Sequence, residues 1–125
     1  VFIGPSIVAR GGDREGFPVT FMEAMSCGAA VIATDLESVR ECIRDGVNGF
    51  IVPQKSPGHI ARAITDIIGG KKDAGLVRRN ARAFALETFD WTKIAAQHRG
   101  FFRGAKCAGS EGAAIRPPAL PEIRP

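Results

Sequence analysis

The chain has no tyrosine, one tryptophan and two histidines in 125 residues. It has no apolar run near the length of about 18 residues that a membrane-crossing helix needs. Without tyrosine, and with no aromatic residues interleaved among its basic ones, it lacks the recognisable pattern of a nucleic-acid-binding module. Cys27, Cys42 and Cys107 are odd in number and widely spaced, which argues against a disulfide framework and against a zinc site. Reduced thiols are expected, with Cys27 a packing residue. His59 and His98 stand alone in the sequence and read as surface or helix-end residues. No cluster has metal-ligand spacing, and no Ser-His-Asp array is present. Nothing at the N-terminus resembles a signal peptide, so a cytoplasmic setting is expected.

What remains is ordinary for one small soluble domain: 45% hydrophobic and 24% charged residues in 13.3 kDa. The net charge of +4 is unevenly spread. Residues 1–70 hold 6 basic and 8 acidic side chains, whereas residues 71–125 hold 11 basic and 5 acidic. That excess fits an anionic membrane surface or a lipid-diphosphate acceptor, and equally the plainer case of a solvated helix face.

Three short apolar runs, Val1–Pro5, Ala30–Thr34 and Phe50–Pro53, are bounded by Gly, Pro or Asn and suit buried parallel strands. Helical stretches separate them: Pro18–Ser26 ending at Gly28, and Ser38–Arg44 ending at Asp45-Gly46. The alternation predicts an α/β fold, the outer half of a Rossmann-like doubly wound parallel sheet. Ser56-Pro57 then makes an N-cap and first turn for a helix to Ile68, with Ile60, Ile64, Ile67 and Ile68 at helical spacing. Further helices are predicted over Ala74–Leu86, with Arg78, Arg79 and Arg82 outside, and Thr92–Arg103. Residues 104–125 are Gly-, Ala- and Pro-rich without periodicity and read as a disordered tail after a domain of residues 1–103.

The chemistry concentrates in Glu15-Gly-Phe-Pro-Val-Thr-Phe-Met-Glu23. Pro18 suits a first helical turn, and the free amides around Phe17 to Thr20 would face an anion such as a diphosphate. Glu23 lies roughly 7.5 Å further along the helix, so two carboxylates bracket one ligand. Taken singly, Glu15 reads as a solvated loop carboxylate and Glu23 as a glutamate favoured by the helix dipole. Arg10, Asp13 and Arg14 read as a charged loop tip.

Pro5-Ser6, Glu15-Gly16-Phe17-Pro18, Glu23-Ala24-Met25, Cys27-Gly28, Val31–Asp35, Glu41 and Asp45–Pro53 stand in the order found in one family. Together they resemble the C-terminal domain of GT-B retaining glycosyltransferases, glycosyltransferase family 4 (the glycosyltransferase group 1 family). The likeness runs over residues 1–103. Eight residues, Ile7 to Arg14, stand where many members have two or three, as in relatives that build exopolysaccharides.

The resemblance implies a transferase with Glu15 as the catalytic residue at the transferred sugar. Gly16, Phe17, Pro18 and Val19 would lie against the nucleotide-sugar donor, and Glu23 would take its ribose hydroxyls. It implies no metal and no cofactor, UDP favoured over GDP as the donor nucleotide, and a glycan or lipid-linked acceptor. It also implies an N-terminal GT-B domain as partner, so the chain reads as a fragment, inactive alone, acting in the cytoplasm at the inner face of a membrane. The alternatives are a non-catalytic nucleotide-binding or interaction module of the same fold and another GT-B enzyme such as an epimerase or phosphorylase.

Overall fold

The computed structural model describes residues 1–9, 11, 12, 16 and 18–104. Three parallel strands, β1 (Phe2–Gly4), β2 (Val31–Thr34) and β3 (Phe50–Val52), form a sheet in the order β1-β2-β3. Phe2 stands beside Val31, and Ile32 beside Phe50. The helices are α1 (Val19–Ser26), α2 (Glu37–Arg40), α3 (Pro57–Ile68), α4 (Ala74–Thr88) and α5 (Trp91–Gly104). The predicted α/β order is observed, with strand ends trimmed by a residue or two. Among the described residues no helix is long and apolar enough to cross a membrane. Apart from Gly104, which ends α5, the predicted tail lies outside the described residues.

All four residues of β2 are buried, so the strand feeds a core on each face of the sheet. On one face Val31 and Ala33 pack with Phe21 and Met25 of α1, Val39 of α2, and Ala81 and Phe84 of α4. On the other, Ile32 packs with Phe50 and Val52 of β3, Ala63 of α3 and Val77 of α4. Ile60, Ile64 and Ile67 of α3 lean on this second core, whereas Ile68 is 79% exposed, contrary to its helical spacing.

α1 lies very close to β1. A Cβ on Gly4 would sit 2.0 Å from Cε1 of Phe21, so only glycine lets the ring cover the strand. The helix ends in a Schellman motif. Gly28 adopts φ +72°, its N–H donates to Met25 O at 2.9 Å, and Ala29 N–H donates to Ala24 O at 2.9 Å. Arg78 Nε donates to Gly28 O at 2.6 Å, and Arg82 donates to Ser26 O. Two of the arginines expected to point outward are thus exposed but held at the negative end of α1, where cations are favoured.

Several local expectations are corrected. Pro18 precedes the helix as its N-cap, with extended ψ of 131°, rather than entering its first turn. Cys27 is exposed at the C-cap of α1 rather than packed. Ser56 is the N-cap of α3 but makes no side-chain cap, because its hydroxyl pairs with His59 Nδ1 at 2.5 Å. α2 stops at Arg40 instead of Arg44. Beyond it the buried Asn48 side chain claims the backbone, accepting from Arg44 N–H at 2.7 Å and donating to Cys42 O at 2.9 Å. A helix through these residues would lose both bonds.

Candidate functional site at the carboxyl ends of the strands

In an open parallel sheet the loops beyond the carboxyl ends of the strands enclose the ligand crevice. Here two polar side chains tie those loops together. Thr34, at the end of β2, is buried and donates through Oγ1 to the carbonyls of Gly4 and Ser6 at the end of β1. Gln54, just after β3, accepts the Val8 N–H at 3.0 Å and donates from Nε2 to Asp35 O at 2.8 Å. Asp35 in turn receives Arg40 Nε at 2.5 Å and Nη2 at 2.8 Å. That bidentate bond holds the Asp35 carboxyl below its usual range. Asp35 and Arg40 line a cavity of about 430 Å³ with Arg44, Asp45 and Pro53.

α1 starts at this same edge. Its N-cap, Pro18, makes no side-chain cap, and its first intrahelical bond runs from Phe21 N–H to Pro18 O at 3.0 Å. That first bond belongs to Phe21, so the amides of Val19 and Thr20 have no partner within the helix. One turn on, Glu23 is exposed. Val19 and Glu23 line one groove of about 520 Å³ with Leu86 of α4, Phe89 between the helices, and Trp91 and Ile94 of α5. Asp90 stands at the head of α5, where its carboxylate accepts the Thr92 N–H at 2.7 Å; bonds from Thr92 and Lys93 keep its pKa low.

Of the predicted site residues, Val19 and Glu23 are brought together on this groove. Gly16 is exposed and Pro18 half-buried, and neither lines it. Glu15 and Phe17 lie outside the described residues. Gln54 was not singled out in the sequence, and Thr34 stood there only within Val31–Asp35, without a role of its own. Their partners are backbone atoms supplied by other loops, which no spacing of side chains announces.

The downstream words of the motif prove to be structural. Asp45 Oδ1 accepts the Ile51 N–H at 2.9 Å, Asn48 makes the two bonds given above, and a Cβ on Gly49 would lie 2.6 Å from Ile43 Cγ2. His59 and His98 are exposed on helices.

Residues 1–84 match the family described as glycosyl transferases group 1. The chain belongs to that family. Among its relatives, the amylovoran biosynthesis glycosyltransferase AmsK of Erwinia amylovora is 34% identical over 83 residues, 66% of this chain and 20% of that protein. The phosphatidyl-myo-inositol mannosyltransferase of Mycobacterium tuberculosis is 34% identical over 86 residues, 66% of this chain and 23% of its own. The crystal structure of Anabaena HepE in complex with UDP superposes with a TM-score of 0.68 at 29% identity, covering 72% of this chain and 25% of that one. The same protein has also been solved with UDP-glucose. This group 1 glycosyltransferase chain therefore spans about a fifth to a quarter of the length of the proteins it matches. Its three-stranded sheet and flanking helices are those of a GT-B glycosyltransferase.

Proposed function

We propose that the chain is the donor-binding part of a retaining glycosyltransferase of family 4, a hexosyltransferase. It would pass a sugar from a nucleotide sugar to a glycan or lipid-linked acceptor in polysaccharide or glycoconjugate synthesis. The observation that carries this reading is the start of α1, with the Val19 and Thr20 amides unpartnered within the helix and Glu23 one turn beyond.

Glycosyl transfer needs the departing diphosphate stabilised and a developing positive charge on the sugar tolerated. The open amides and the helix dipole suit the first, contributing about 0.3–2 kcal/mol. Glu15 serves the second, against the transferred sugar. The backbone of Gly16, Phe17, Pro18 and Val19 lies along the donor, and Glu23 takes the ribose hydroxyls. The leaving phosphate acts as base for the incoming hydroxyl, so no cofactor and no separate triad are required. The HepE complexes with UDP and UDP-glucose support a uridine donor over a guanosine one.

The acceptor and the remaining catalytic groups belong to an N-terminal domain of a longer protein, without which the chain is inactive. That domain covers the exposed apolar residues of α5, where Trp91 is 82% and Phe102 71% exposed. A lipid-linked acceptor would bring the assembly to the inner face of a membrane. There Lys93 and Arg99 of α5, a helix with no acidic residue, meet the anionic headgroups.

Saturation-transfer NMR of the chain and of Glu23→Ala with UDP-glucose and GDP-mannose tests the reading. Binding of UDP-glucose that the variant loses while staying folded is the expected result. A folded chain silent to both donors, or equal signals from chain and variant, overturns it.

A further inference from the structure

Gln54 lies two residues beyond β3, yet its two bonds reach 46 residues back to Val8 and 19 back to Asp35. Val8 belongs to the connection that leaves β1 and leads to α1, and Asp35 opens the turn between β2 and α2. One side chain therefore joins the carboxyl ends of all three strands. Its orientation is fixed, because only a carbonyl oxygen can accept from Val8 N–H and only an NH₂ can donate to Asp35 O. Glutamate in the same place would keep the first bond and set a carboxylate oxygen against the Asp35 carbonyl. Alanine would make neither.

Asp35 belongs to neither core, and Val8 is only half-buried, leaning on the α1 side of one of them. The cores on the two faces of the sheet are built from α1 to α4 and the strands. Loss of the Gln54 amide would leave both in place and free the loops above them. Thr34 fastens the first part of the β1–α1 connection through Gly4 and Ser6, and Gln54 fastens the next. We propose that Gln54 is a positioning residue for the nucleotide-sugar site: it sets donor affinity by holding the β1–α1 connection against the β2–α2 turn, without touching the donor. The proposal rests on the donor-site reading given above.

The test uses the whole chain and UDP as probe, with Gln54→Ala, Gln54→Glu and, as control, Asn80→Ala. Asn80 makes a comparable bond, Nδ2 to Val47 O at 3.0 Å, in the loop that leads into the amino end of β3. Amide exchange at Val8 is followed by NMR together with the UDP dissociation constant. In Gln54→Ala, Val8 exchange is expected to quicken and UDP to bind about tenfold more weakly, the cost of one to two hydrogen bonds. In Gln54→Glu, Val8 stays protected while UDP still binds more weakly than to the unaltered chain. Asn80→Ala changes neither readout. Unchanged UDP affinity in Gln54→Ala, or equal weakening in Asn80→Ala, overturns the positioning role alone. Failure of the unaltered chain to bind UDP overturns the donor-site reading and this proposal with it.

Discussion

The sheet has two outer edges, and the chain treats them in opposite ways. Along β3 the outward N–H of Ile51 is taken by the Asp45 carboxylate, Asp45 bridges to Gly49, and Gly46 N–H donates to Gly49 O at 2.8 Å. Lys72 then sits 4.6 Å over the ring of Phe50. Along β1, Phe2 N–H turns inward to Ala30 O, so the backbone of Ile3 turns outward. No strand stands beside it among the described residues, and Val1 and Ile3 are 61% and 38% exposed. The first edge is closed by the loop just before the strand and by Lys72; the second is open to another strand, from a longer protein or from a second copy. An edge closed locally is robust in the isolated chain, whereas an open one makes behaviour depend on concentration.

The strongest way to break the contrast is at Asn48. Asn48→Ala strands the Arg44 N–H and the Cys42 carbonyl and releases the loop that covers β3, at an expected cost of about 3 kcal/mol. Urea unfolding measures it, and a loss within error of zero would mean the loop is held by its glycines alone. At the other edge Ile3→Lys should shift the unfolding free energy by less than about 0.5 kcal/mol. It should nevertheless abolish growth of mass with concentration in light scattering, because a charge on an open edge blocks strand pairing. Unaltered, concentration-dependent association of Ile3→Lys would place the self-contact elsewhere.

A pH dependence is also expected at the closed edge. Burial, with Glu41 nearby, pushes the Cys42 thiol from 9.0 up to about 11. Between those values the unfolded chain has lost a proton that the folded chain keeps, so stability falls as pH rises through this window and is flat below it. Denaturant midpoints on either side of the window show the decline, and Cys42→Ala removes it.

The parts of the fold legible in the sequence are those set by neighbours in the chain. Gly28 after an apolar-periodic helix announced the end of α1, and Gly69-Gly70 the end of α3; Gly70 indeed adopts φ +70°. Short apolar runs between turn residues marked all three strands. What stayed hidden depends on contacts made across the fold. Nothing local distinguishes residues 41–44 from a continuing helix until Asn48 folds back on them. Thr34 and Gln54 look like any polar residues at strand ends until the parallel order brings Gly4, Ser6, Val8 and Asp35 within reach. Of the site itself, the Val19–Glu23 face was readable from helical spacing, but its groove is completed by Trp91 and Ile94, some seventy residues away in sequence.

Trp91 has an optical consequence. It is the chain's sole indole and is 82% exposed in the folded state, so its emission starts close to that of an indole in water. Unfolding has little further hydration to add, and fluorescence will report the folding of this protein poorly. Covering α5 with another molecule would dry the ring and shift its emission to the blue. The same residue that is nearly blind to folding is thus a built-in reporter of docking.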